Sequence, residues 1–167
     1  MLRLTRGWPA RWPQHALDVL MGLAAVAIAL VAPLGHAIWA LARSADDGDP
    51  WRIALAAALL ELLLFAGVAG AVFVAVRLSD TRPRPPGLLR ALGFAQVPAA
   101  LYVLGLLPPL THFTPLLAIA LALRFVTSVQ VALRVARLPP STAVAAVLLG
   151  AVAGIIAGFA VASLTYA

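Results

Sequence analysis

The sequence predicts an all-α, polytopic integral membrane protein with five transmembrane helices, and three observations lead to that fold class. The chain has 167 residues, of which 63% are hydrophobic and only 11% are charged, and its mean hydropathy is +1.03. A soluble domain of this size exposes roughly a third of the surface of its unfolded chain, which so few charges would not keep hydrated. Five apolar stretches approach or exceed the ~20 residues that a helix needs to cross a bilayer. Soluble enzymes, collagens and disordered tails are therefore excluded.

The first predicted helix covers about residues 17–42 and follows a cytosolic or interfacial N-terminal arm, residues 1–16. We expect Pro33 to interrupt this helix, because proline removes a backbone donor. A signal peptide is the competing interpretation, but the apolar run is long for a signal core. Trp8 and Trp12 are typical of a segment anchored at the membrane interface. The alternative, which the sequence favours equally, is that the arm is a poorly ordered tail.

The other four predicted helices complete a single transmembrane domain over residues 17–167. The second follows an acidic turn, and breaker residues rich in proline separate it from the third. The fourth ends at a Pro-Pro pair, after which Ser141 or Thr142 is expected to cap the fifth. These helices cover about residues 52–76, 88–107, 115–138 and 143–164.

Arginine placement predicts the orientation, because cytoplasmic loops carry an excess of basic residues. All 12 basic residues are arginine, and most lie at the ends of the apolar stretches, which argues against a nucleic-acid partner. Nine of them lie on one side: Arg3, Arg6, Arg11, Arg77, Arg82, Arg84, Arg90, Arg134 and Arg137. The other side has Arg43 and Arg52. The N-terminus is therefore predicted to be cytoplasmic and the C-terminus to lie outside.

Glu61 and Arg124 are the most informative residues, because an ionisable group at membrane depth is costly unless it is paired or hydrated. In the predicted topology each lies roughly 15 Å below the outer end of its helix, near the bilayer midplane. We therefore predict an intramembrane ion pair between them. A static brace is favoured, and a proton or ion relay or a contact with a lipid or partner subunit stays open.

The fourth predicted helix also carries a polar face. Its members are Thr127, Ser128, Gln130 and Arg134, which share an arc of roughly 160° with Arg124. We expect this face to point into the protein. Gln96 on the third helix lies at a similar depth to Gln130, which predicts an amide contact that serves packing rather than permeation.

Small residues recur every four positions along the fifth predicted helix. The ladder consists of Ala146, Gly150, Gly154, Gly158 and Ala162. Because small side chains allow helices to approach closely, the pattern predicts tight packing against another helix or against another subunit.

No pattern of catalytic or ligand-binding residues emerges from the sequence. His36 and His112 lack metal-ligand spacing and are interpreted as structural, and the chain has no Cys. Phosphate-binding glycine loops, nucleophile elbows and paired carboxylates are likewise missing from the sequence. We therefore expect no enzyme activity, no metal and no cofactor of the chain's own.

The arrangement resembles the Ypt-interacting protein (Yip) family, whose members have five closely spaced transmembrane helices and an outer C-terminus. The resemblance is carried by residues 89–98 (LRALGFAQVP), by Pro108 and Pro109, and by residues 126–143, which include the QVALR run and the LPPSTA junction. It covers residues 77–164 best. The family's long cytosolic domain and its acidic-aromatic trafficking motif have no counterpart here, so binding of a Rab GTPase is not carried over.

The resemblance implies a non-catalytic membrane scaffold or interaction protein in the cytoplasmic membrane of a bacterium. Its partners would be membrane lipids and other membrane subunits or further copies of the chain. They would be contacted through the small-residue face or through the apolar surfaces of the first two helices. The alternative is a small transporter or channel subunit with a polar site at the midplane.

Overall fold

The computed structural model describes residues 12–43, 49–79, 85–104 and 115–166, and it is all-helical over them. The helices are α1 (Trp12–Arg43), α2 (Pro50–Leu78), α3 (Pro85–Phe94), α4 (Leu101–Leu104), α5 (Pro115–Arg134) and α6 (Pro140–Tyr166), with a 3₁₀ turn at Val97–Ala100 between α3 and α4.

Four of these helices contain a stretch long and apolar enough to cross a membrane: α1, α2, α5 and α6. The chain is therefore consistent with a multi-pass membrane protein. The third predicted helix is not one continuous helix, because it breaks between Phe94 and Leu101. Pro98 lies in the 3₁₀ turn, where its missing N–H and its ring prevent an α-helical ladder from running through.

Three predicted helix limits require correction. The fourth helix ends at Arg134 and not at the Pro-Pro pair, because the chain already turns at residues 135–136. The first helix begins at Trp12, inside the predicted arm, and continues through Pro33 without the expected interruption. A membrane helix tolerates proline where neighbouring helices satisfy the freed backbone. The last helix begins at Pro140, a favoured first helical position, so Ser141 and Thr142 lie in its first turn and do not precede it.

A tight turn joins α5 to α6. Arg137 has a φ of 56°, the left-handed conformation that commonly ends a helix. The Leu138 N–H donates to the Ala132 carbonyl at 3.1 Å and thereby satisfies one of the carbonyls left open at the end of α5.

The most extensive interhelical packing joins α2 and α6, and it uses the small-residue ladder. A Cβ added at Gly154 would lie 2.6 Å from both the Leu63 carbonyl oxygen and the Leu64 Cα. Gly150 is equally close to the backbone of Gly67 and Val68, and Gly158 faces the Leu60 side chain. Residue numbers fall along α2 as they rise along α6, so the two helices are antiparallel.

The ladder therefore packs against a helix of the same chain. Ala146, Gly150, Gly154 and Gly158 are all buried. The side chain of Ala162 lies outside the described part of the structure.

The third segment of the bundle, residues 85–104, consists of α3, the 3₁₀ turn and α4, and we call it the interrupted segment. It lies alongside α1 and runs parallel to it. Arg90 Nη1 donates to Asp18 Oδ1 at 2.9 Å near one end of the contact. At the other end, a Cβ on Gly35 would lie 3.3 Å from the Cβ of Tyr102. From Asp18 to Gly35, α1 rises about 25 Å, which is most of the ~30 Å hydrocarbon core of a bilayer.

Candidate functional site

Glu61 and Arg124 are in direct contact in the middle of the helix bundle. Arg124 Nη1 donates a hydrogen bond to Glu61 Oε2, and the two residues are only 5% and 3% exposed. Glu61 lies on α2 and Arg124 on α5, so the ion pair ties together two helices that otherwise have few contacts with each other. The partners that the sequence predicts are thus brought together.

Two residues that were not predicted as partners complete the surroundings of Glu61. Its Oε1 lies 3.1 Å from His36 Nδ1 and accepts a hydrogen bond of 3.2 Å from the Tyr102 hydroxyl. The rings of His36 and Tyr102 are 5.4 Å apart between centroids. The sequence analysis interprets His36 as structural but does not foresee this carboxylate, which comes from another helix, α2.

A sequence signal for these two residues does exist. His36 and Tyr102 each lie about five or six residues from the outer end of their predicted helices, so both are expected at one depth. By the same measure Glu61 lies about ten residues from the outer end of its helix, roughly 6 Å deeper, so depth alone pairs His36 with Tyr102 and does not place them beside Glu61.

Arg124 also makes hydrogen bonds to side chains of the interrupted segment. Its Nε donates to Gln96 Oε1 at 2.8 Å, and its Nη1 also lies 3.3 Å from the Tyr102 hydroxyl. Gln96 Nε2 in turn donates to the Leu92 carbonyl at 3.3 Å. We refer to His36, Glu61, Gln96, Tyr102 and Arg124 as the polar cluster.

The helix break between Phe94 and Leu101 lies beside this cluster. A hydroxyl from α5 lies within hydrogen-bond distance of a backbone carbonyl in the break. Thr127 Oγ1 lies 2.8 Å from the Ala95 carbonyl and within 3.0 Å of the Leu123 and Arg124 carbonyls of its own helix. A hydroxyl has one proton, so it donates to one of the three at a time. Irregular backbone at membrane depth requires such partners from within the protein.

The polar face of α5 that lies inside the protein is narrower than the sequence predicts. Ser128 is buried and Thr127 is half-buried, but Gln130 and Arg134 are exposed. The predicted contact between Gln96 and Gln130 is wrong, because Gln96 bonds Arg124 and Leu92 instead. The buried stripe repeats every four residues, through Ala120, Arg124, Ser128 and Ala132. Gln130 lies about 120° or more from the middle of this stripe.

A cavity of about 200 Å³ adjoins the cluster between α2, α5 and α6. Its walls are apolar and include Phe65, Phe125 and Val147, while Gln96, Arg124 and Ser128 form a polar end. The site therefore combines a bonded polar cluster with an apolar space that opens beside it.

The chemistry of the cluster is that of a charge-neutral network. The formal charges of Glu61 and Arg124 cancel, and no described side-chain nitrogen or oxygen is both buried and without a hydrogen bond. Within the described residues, no group of three or more His, Asp or Glu side chains is placed to hold a metal ion. His112 lies outside the described residues.

Comparison with protein-family models, with curated proteins and with solved structures gives no match for this chain.

Proposed function

We propose that the chain is a non-catalytic membrane scaffold or interaction protein, an organiser of the kind that the Yip resemblance implies or an accessory subunit of a larger complex. The observation that carries this proposal is the polar cluster. Its ionisable side chains bond one another across α1, α2, α5 and the interrupted segment. Groups committed to holding helices together are a brace rather than a reaction centre.

The directness of the ion pair supports this function over transport. A relay or permeation site needs water next to its charged groups, whereas Glu61 and Arg124 touch each other without a gap. Burial of two charges is costly, and the additional bonds from His36, Tyr102 and Gln96 offset that cost.

The surface available to partners is the exposed face of α1, which points away from the other helices. The small-residue ladder is covered by α2, so that face of α6 is not available to another subunit. By contrast, Leu20 and Leu23 on α1 are 64% and 61% exposed, and Val19, Val26 and Leu34 continue the same apolar surface. We place the contact with lipids or partner subunits there.

Extraction from the native membrane in mild detergent tests this function. We expect a particle heavier than one chain, containing further copies or other subunits in fixed proportion. Replacing Leu20 and Leu23 by tryptophan should release the partner, while the same change at Ile156 and Phe159 on the exposed side of α6 should not. A particle of one chain, or a complex indifferent to both pairs, would contradict the proposal.

We further propose that the interrupted segment is a fifth traverse, with the N-terminus in the cytoplasm. Three contact directions support it. The segment is parallel to α1, and α2 is antiparallel to α6. The segment is antiparallel to α5, because Ala95 contacts Thr127 while Tyr102 contacts Arg124. Five traverses that alternate in direction produce this pattern.

The distribution of arginine supports the orientation, and it is consistent with a bacterial cytoplasmic membrane.

The second candidate, a small transporter or channel subunit, is favoured by one observation. The cavity reaches Arg124 and Gln96 near the middle of the bundle. The double variant Glu61→Gln with Arg124→Leu separates the two functions. A scaffold should keep its complex once the two charges are removed together, whereas a transporter should lose uptake in proteoliposomes.

A further inference from the structure

The cavity beside the polar cluster has the features of a ligand site rather than of a packing defect. Its volume of about 200 Å³ exceeds the ~150 Å³ apolar cavity that is known to accept benzene. Its walls come from α2, α5 and α6, whose side chains there include Leu64, Phe125 and Ala151. A ring with several methyl groups, or part of an aliphatic chain, fits such a space.

Two hydrogen-bonding groups at the polar end of the cavity have no partner among the described residues. Arg124 bonds through Nε and Nη1, and neither its Nη2 nor the Ser128 hydroxyl makes a hydrogen bond within the described part of the chain. Both residues are at least nine-tenths buried. Because no described side-chain polar atom is both fully buried and unbonded, each of these two atoms keeps some accessible surface, and both residues line the cavity.

The cavity opens towards the outside of the bundle between α5 and α6. Leu121 and Ile155 line it and are 39% and 42% exposed, so the opening lies between them. Both lie within the apolar stretches that are long enough to cross a membrane. A molecule would therefore enter sideways from the hydrocarbon phase.

Charge decides what the polar end accepts. Glu61 already neutralises Arg124, so a second anion would place an uncompensated negative charge in hydrocarbon, which is strongly unfavourable. A neutral acceptor gains the two free donors without that cost. We propose that the cavity binds a neutral, carbonyl-bearing apolar ring, the chemistry of a membrane quinone, with one carbonyl oxygen accepting from Arg124 Nη2 and Ser128 Oγ.

Three probes of nearly the same shape test the proposal. Duroquinone carries two carbonyls on a tetramethylated ring, durene is the hydrocarbon without them, and 2,3,5,6-tetramethylbenzoate is an anion. Binding to the full chain in lipid nanodiscs is measured by equilibrium dialysis, with protein-free nanodiscs as the partition reference. We expect duroquinone to bind about tenfold more tightly than durene, which corresponds to one or two net hydrogen bonds.

Variants locate the binding. Ala151→Phe should fill the cavity and abolish binding, while Ala153→Phe, an exposed position on the same helix that does not line the cavity, should leave it unchanged. Ser128→Ala should weaken duroquinone about three- to tenfold and leave durene unaffected. Because Ser128→Ala removes a single oxygen, it keeps the test valid even if Ala151→Phe does not fold.

Three results would overturn the proposal. Equal affinity for durene and duroquinone would mean that the donors take no part. Tighter binding of the benzoate would mean an anion site. Binding that survives both Ala151→Phe and Ser128→Ala would place the ligand elsewhere on the molecule.

Discussion

At the scale of single residues, the protein concentrates its buried charge in one place. Glu61 takes hydrogen bonds from three different segments, through His36, Tyr102 and Arg124. In an apolar environment no water replaces a lost hydrogen-bond partner. Removing any one of these bonds therefore lowers the free energy of unfolding by the cost of an unsatisfied buried group.

Removing one member of the ion pair should strand the other. Arg124→Leu is expected to lower the free energy of unfolding by about 3 kcal/mol, because it leaves a buried carboxylate without its cation. Glu61→Gln combined with Arg124→Leu should recover more than half of that loss. Unfolding in mixed detergent measures both, and Arg134→Leu on the exposed side of α5 is the control, with a change of less than about 0.5 kcal/mol.

If the double variant is no more stable than Arg124→Leu, the pair does not exist in the folded protein.

The Tyr102 hydroxyl links both members of the pair, which gives it a separate test. Tyr102→Phe should cost about 1 kcal/mol of stability, since one donor to Glu61 and one acceptor for Arg124 are lost together. In the background of Glu61→Gln with Arg124→Leu, the same change should cost much less. An equal cost in both backgrounds would show that the hydroxyl acts independently of the pair.

At the scale of helices, small residues and proline determine which segments approach closely. Gly150 and Gly154 bring α6 against the backbone of α2, whereas Pro98 ends the regular helix beside the polar cluster. The break leaves the Ala95 carbonyl in reach of Thr127 on α5.

Adding one methyl group should distinguish glycines in the helix contact from glycines outside it. Gly150→Ala is expected to destabilise the protein by about 1–3 kcal/mol, because its Cβ would collide with the Gly67 and Val68 backbone. Gly70→Ala, on α2 with nothing within 4 Å of the new Cβ, should be neutral or stabilising by up to about 1 kcal/mol.

Thermal unfolding of the two variants in the same detergent provides the comparison. Equal effects at both positions would mean that α6 does not pack on α2 through this face.

Thr127 tests the contact between α5 and the helix break. Thr127→Val keeps the shape but removes the hydroxyl, and it should cost about 1 kcal/mol because the Ala95 carbonyl loses a partner. Thr127→Ser keeps the hydroxyl and should retain most of the stability. A serine variant as unstable as the valine variant would indicate that the lost methyl group, and not the hydrogen bond, matters.

At the scale of the whole molecule, the number of traverses decides which ends share a side of the membrane. Ser79 ends α2, and Ser141 lies in the first turn of α6. If the interrupted segment crosses together with α5, two traverses separate these serines and they face the same side. If only α5 crosses, they face opposite sides.

Labelling with a membrane-impermeant maleimide on intact cells measures the side of the membrane on which each position lies. The chain has no Cys, so each introduced thiol gives an unambiguous signal. We expect Ser79→Cys and Ser141→Cys to be protected and Asp49→Cys, at the other end of α2, to be labelled. Opposite behaviour of Ser79→Cys and Ser141→Cys would contradict five traverses. Reversal of all three would contradict the orientation.

Properties of single segments were open to prediction from the sequence. The bilayer requires an apolar helix of a certain length whatever its neighbours are, so the four long helices follow from hydropathy alone. Glu61 and Arg124 were predictable partners for a similar reason, since the cost of a lone charge at the midplane leaves few alternatives.

Relations between segments were decided by the tertiary structure. Helix rotation and spacing made Gln96 a partner of Arg124 and left Gln130 exposed, although both glutamines lie at a similar predicted depth. The same geometry brought His36 to Glu61 and turned the small-residue ladder towards α2. Hydropathy fixes how deep a side chain lies, but its direction depends on the packing of every helix around it.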